Sequence, residues 1–163
     1  MHILKQSAVL AIAFGSLISA TAAAPITPVT TSCGAPLSSI VKTVIDQFST
    51  PSETPVILVG TGVNITVPAG ETRCVRVRFS AVAECPHNCF VHAFANTTPL
   101  NPVQSSSSLR FSSDSINNGT AHSFEWAGRV GPGQQTIFIK VNTGNTIEDA
   151  RFGPFTTTVE IAK

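Results

Sequence analysis

The residues best able to do chemistry in this chain of 163 residues lie close together, in AECPHNCFVHAF at 83 to 94. Cys85 and Cys89 stand four apart, with His87 between them and His92 just beyond. Zinc binding, thiol redox and a covalent clip all draw on such residues. A structural zinc site needs four ligands, usually as two paired clusters. The second pair is missing here, because Cys33 and Cys74 are far apart in the chain. A redox motif needs C-x-x-C at a helix start beside a βαβ unit, and neither that spacing nor that context is present. The favoured reading is a Cys85–Cys89 disulfide that closes a Pro-Asn turn. Four cysteines allow three pairings in principle. With Cys85–Cys89 joined, Cys33 with Cys74 follows by elimination.

The other candidates are sparser. Arg76 and Arg78 project from one side of an alternating segment, and His92 or Glu125 can face them across a sheet. Arg76, Arg78 and His92 therefore form a candidate ligand face, although such a row is more often a solvated sheet surface. A metal protein would require His87, His92 and His122 to meet. A blue-copper site commonly adds an axial Met, and the only Met is Met1. A glycosidase needs two carboxylates at a set separation, and Glu84, Asp114 and Glu125 are the acids that could serve. VGTGVN has Asn64 where a dinucleotide motif needs its third glycine, and strand residues follow where a helix should. A G-x-S-x-G elbow is absent. No catalytic residue, metal or cofactor is expected. Asn64, Asn96 and Asn118 head N-glycosylation sequons, which matter only in a eukaryotic host.

Composition narrows the classes further. Charged residues are 12% of the chain, against about a quarter in an ordinary soluble domain. The net charge is +1, Tyr is absent and Trp126 is the only Trp. A nucleic-acid surface of clustered cations and stacking rings has little to work with. The N-terminus carries a short polar segment, the apolar run SAVLAIAFGSLIS and the small residues ATAAAP. This is the layout of a secretory signal over residues 1–22, with Ala20-Thr21-Ala22 as the cleavage motif. The apolar run is too short to span about 30 Å of hydrocarbon, so no membrane span is expected after cleavage. Export to a secreted or periplasmic location makes disulfides the default for the four cysteines.

These residues must be positioned by strands. A Pro/Thr/Ser-rich leader over residues 23–38 precedes a domain over residues 39–163. In SIVKTVIDQF the periodicity fits a helix while the Val, Ile and Thr content favours a strand, and the strand is preferred. After Pro55 the pattern is β throughout. Val75, Val77 and Phe79 alternate with Arg76 and Arg78, which puts Cys74 on the arginine side, away from the core. CFVHAFA, HSFEWAGRV, QTIFIKV and FTTTVEIA read as further strands, separated by turns such as PAGE, NNGT and GPGQ. Seven or eight strands at roughly ten-residue spacing predict an all-β antiparallel jelly-roll-like β-sandwich.

Three stretches, VRVRFSAVAEC with CFVHAF, FEWAGRVGPGQQTIFIKV and FGPFTTTVEI, resemble small secreted bacterial β-sandwich proteins. That group shares a VRFSA-type strand, a cysteine pair and a GPGxHTVxV hairpin, in an organisation similar to C1q/TNF-like jelly rolls. Gln135 stands where the pattern favours His. The resemblance implies a fold and carries over no catalytic residue. A role in binding, adhesion or structural assembly is expected, with a surface, glycan or protein as partner and a homo-oligomer as a candidate state. The alternatives are an extracellular carbohydrate-active enzyme and a periplasmic metal-binding protein. A binding module should show a shallow surface lined by aromatics or arginines. An enzyme should show converging acids.

Overall fold

A computed structural model describes residues 33–85, 88–102, 109–111, 119–144 and 149–163. The signal segment, most of the leader, His87, Asp114 and Asn118 lie outside these residues. Among the described residues there is no helix, and so none long and apolar enough to cross a membrane.

The strands are β1 (Pro36–Val44), β2 (Phe48–Thr50), β3 (Val56–Ile57), β4 (Val63–Val67), β5 (Arg73–Glu84) and β6 (Cys89–Ala95). They continue as β7 (Thr98–Pro99), β8 (Asn101–Pro102), β9 (Leu109–Phe111), β10 (Thr120–Val130), β11 (Gly133–Thr143) and β12 (Ala150–Ala162). The SIVKTVIDQF segment lies mostly in β1. Ile40 and Val44 pack against the core while Val41 and Thr43 between them are exposed, and the strand reaches back to Pro36, into the stretch assigned to the leader.

All pairings are antiparallel. One sheet runs β1-β12-β5-β10-β8, with β2 beside β1 on the β12 edge. The other runs β3-β11-β6-β7, with β4 continuing β3 along β11 and β9 pairing with β6. Successive long strands switch sheets, so that chain-distant β1, β12 and β5 become neighbours. This is the order of a jelly roll.

Period-two burial drives the closure. Val75, Val77, Phe79, Ala81 and Ala83 of β5 point inward. They meet Val91 and Ala93 of β6 and Ile137, Ile139 and Val141 of β11. Trp126 is fully buried, and Phe124 bridges it to Phe79 at ring separations of 6.0 and 6.5 Å. The β3–β4 break is held to the sheet by Thr61. Its hydroxyl donates to the Leu58 carbonyl (2.7 Å) and accepts the Ile139 amide (3.1 Å). Gly60 closes this corner at φ 90°, where a Cβ would come within 2.6 Å of Val44.

Two disulfides clip the sandwich. Cys33–Cys74 ties the start of the described chain to the outer side of β5, and Cys85–Cys89 closes the β5–β6 connection. Cys85 and Cys89 belong to the buried core, whereas Cys74 lies outside that cluster.

Candidate functional site

The structure separates the three residues of the candidate ligand face. Arg76 and Arg78 lie on the outer side of β5 in the first sheet, while His92 lies on the outer side of β6 in the second. The core lies between them, so they cannot share a ligand. Strand parity was readable locally, but which sheet each strand joins depends on the crossovers.

Glu125 does face the arginines, and Glu160 joins from the opposite strand. Arg78 donates from Nε to Glu125 Oε2 at 3.1 Å, and Arg76 donates from Nη1 to Glu160 Oε2 at 3.4 Å. Arg78 Nη1 lies 3.5 Å from Glu160 Oε1, and Arg76 Nε lies 3.1 Å from Glu125 Oε1. That last contact has no aligned hydrogen bond, since the Arg76 Nε proton finds no acceptor in line. Each carboxylate oxygen is thus covered by an arginine. The square neutralises itself and leaves neither acid nor base free.

The enzyme reading needs converging acids, and of those named from the sequence the two described, Glu84 and Glu125, do not converge. Glu84 is paired with Arg151 at 3.5 Å. It lies six residues along β5 from Arg78, the register partner of Glu125. At about 3.3 Å per residue that is about 20 Å, well beyond the separation of glycosidase carboxylates.

The three-histidine metal site is not assembled either. His122 sits on the inward side of β10, against Phe124 at a ring distance of 6.1 Å, while His92 faces outward on the other sheet. Among the described residues, no three His, Cys, Asp or Glu side chains come together as a metal site.

What the second sheet presents is a shallow aromatic surface. On β6, Phe90, His92 and Phe94 alternate with buried Cys89, Val91, Ala93 and Ala95. On β11, Phe138, Lys140 and Asn142 alternate with buried Ile137, Ile139 and Val141. The register sets Phe94 against Phe138, His92 against Lys140 and Phe90 against Asn142. The outcome is a two-by-three array of half-buried side chains. The Phe94 and Phe138 rings lie 5.8 Å apart and within 10° of parallel. The Lys140 ammonium lies 4.8 Å from the Phe94 ring centre and 5.8 Å from that of Phe138, within cation–π range. His92 Nε2 donates to Asn142 Oδ1 at 3.1 Å, which leaves Nδ1 as an acceptor on the neutral ring. Burial, with a smaller push from the Lys140 charge, lowers the His92 pKa against the opposing Asn142 bond.

A polar row continues the face. Thr136 donates its hydroxyl to Asn64 Oδ1 at 2.9 Å and its amide to Asn96 Oδ1 at 2.8 Å, and Asn96 donates to Gln135 Oε1 at 2.8 Å. Asn96 holds a positive φ of 52° here, so this sequon asparagine is committed to the turn.

No family model matches the chain, and no curated protein matches it. Among solved structures, the chain is similar to the EclA C-terminal domain, a sugar-binding protein. The two are 10% identical with a TM-score of 0.42, over 70% of this chain and 78% of that one. It is also similar to the structure of infectious bursal disease virus, Gx strain. There the identity is 12% and the TM-score 0.39, over 85% of this chain and 37% of that one.

The functional assignment therefore rests on the sheet faces. Phe90, Phe94, Phe138, Lys140 and Asn142 were not singled out in the sequence. Their signal was faint: CFVHAFA and QTIFIKV carry aromatics on the parity opposite their buried aliphatics, where a solvated strand normally carries polar residues.

Proposed function

We propose that this is an exported binding module whose outer β6–β11 face holds glycan. The observation that carries the reading is the parallel Phe94–Phe138 pair, ringed by an ammonium, an imidazole and an amide. A sugar ring has an apolar C–H face and a polar rim. The C–H face suits the negative face of an aromatic ring, and the rim hydroxyls suit Lys140, His92 and Asn142. The array is flat enough for successive rings of a polymer. Its polar groups are donors and acceptors suited to orienting a ligand, and the described acids of the opposite sheet are occupied by arginines.

Export is supported by the N-terminal signal pattern and by four cysteines that are all paired. Mass spectrometry of the secreted chain should place the new N-terminus after Ala22. For the binding reading, wild type and F94A/F138A are compared on a polysaccharide array and by titration against the best responder. Stacking contacts are worth about 1–3 kcal/mol each on alanine substitution in a related setting, so the double variant should bind at least about tenfold more weakly. Unchanged affinity in that variant, or no glycan retained by wild type, would remove the assignment.

A further inference from the structure

A second surface lies at an edge of the sandwich, away from the β6–β11 face. Leu37, at the register shift between Pro36 and Ser38, Val41 on the outer side of β1 and Ile45 just past its end are large apolar residues left exposed. Together with Ile57 of β3 and Val59 of the following turn they are 51% to 83% exposed. Among the described residues only Val82 adds another large apolar side chain of comparable exposure. Lys42 donates its ammonium to the Gly62 carbonyl, and Val44 packs beside Gly60. These contacts hold β1 against the β3–β4 turn at one edge of the sandwich, with Val41 on the outer side of the first sheet and Ile57, opposite Lys140, on the outer side of the second.

β1 is also the outermost strand of its sheet. It pairs with β12 from Pro36 to Val44, and among the described residues no strand pairs with its other side. Soluble β-proteins usually blunt such an edge with charges, prolines or bulges. Here the only charge in the strand, Lys42, is engaged by Gly62, and the proline and the register shift are confined to the first residues. Ser38 to Val44 therefore offers an unblocked row of backbone donors and acceptors.

Two such edges are complementary. In antiparallel pairing centred on Ile40, Ser39 of one copy faces Val41 of the other, Ser38 faces Lys42 and Leu37 faces Thr43. No like charges stand opposite one another. The two Val41 side chains become diagonal neighbours on the outer side, within reach of each other. We propose that β1 is the association edge for a second copy of this chain, in a two-fold dimer whose sheet runs continuously through both molecules.

The test is sedimentation velocity on the full exported chain over a wide concentration range, with backbone amide exchange over residues 38–44. Wild type should sediment as a concentration-dependent dimer with slowed exchange in that segment. V41K places like charges diagonally across the axis and should abolish the dimer, as should L37K/V41K. F94A/F138A should leave the dimer intact, which separates this proposal from the glycan reading. Should the double lysine variant fail to fold by circular dichroism, S39K, at an exposed polar position beside the axis, takes its place and should likewise be monomeric. Wild type that stays monomeric overturns the proposal. So does a dimer that survives the lysine substitutions. Slow exchange in a monomer would mean that other residues of the same chain cover the edge, and the proposal falls in that case too.

Discussion

The two disulfides enclose very different lengths of chain, and that difference sets an ordering of their effects. Cys33 and Cys74 are 41 residues apart, and Cys85 and Cys89 are 4 apart. In the chain-entropy model, closure of the longer loop removes about 13 cal/mol/K from the unfolded state and closure of the shorter about 7. At room temperature these correspond to about 4 and about 2 kcal/mol. Because the Cys85 and Cys89 sulfurs also pack in the core, substitution alone would mix packing with closure. The cleaner perturbation is reduction of a chain that keeps one bridge. C85A/C89A retains Cys33–Cys74, and C33A/C74A retains Cys85–Cys89. Urea melts of each variant, oxidised against reduced, leave the remaining sulfurs in place and isolate closure. With m near about 2 kcal/mol/M, the midpoint should fall by about 2 M in the first variant and about 1 M in the second. An equal or reversed ordering would refute the reasoning, because loop length would then not govern the effect.

Two further predictions concern titration and packing. Burial lowers the His92 pKa, with Lys140 adding to the effect, and burial also lowers that of His122. The unfolded chain, with ordinary imidazoles near about 6.5, takes up protons first as pH falls. Stability is then fully present above that value and declines as pH drops from about 6.5 towards the lowered folded values. Denaturation midpoints should therefore fall on acidification, and H92N/H122N should flatten the decline in that window. The Thr157 side chain is fully buried, and among the described residues its hydroxyl finds no hydrogen-bond partner. T157V removes that cost at nearly constant shape and should raise stability by about 1 kcal/mol, read as a higher urea midpoint.

Much of the architecture was legible in the sequence because a β-strand writes its two faces into alternate residues. Val75, Val77 and Phe79 against Arg76 and Arg78 separate core from solvent without reference to the rest of the chain. The same parity placed Cys74 on the outer side, where the structure joins it to Cys33. In SIVKTVIDQF, helical spacing and strand propensity disagreed, and neighbours decided the outcome. β1 exists because β12 pairs along its whole length.

The site was less legible for a related reason. Alternation reports which residues share a side of one strand, but it carries no information about which strands share a sheet. Arg78 meets Glu125 and Glu160 because β10 and β12 flank β5, a neighbourhood made by long crossovers. His92 is taken to the opposite exterior by the same crossovers. The sequence alone determined an antiparallel β chain with a marked inside and outside, since that follows from local periodicity and side-chain hydrophobicity. Only the tertiary structure decided that Phe94 stacks on Phe138 beneath Lys140, and that β1 is left at an edge. Both depend on strand order and register, which arise from packing between segments far apart in the chain.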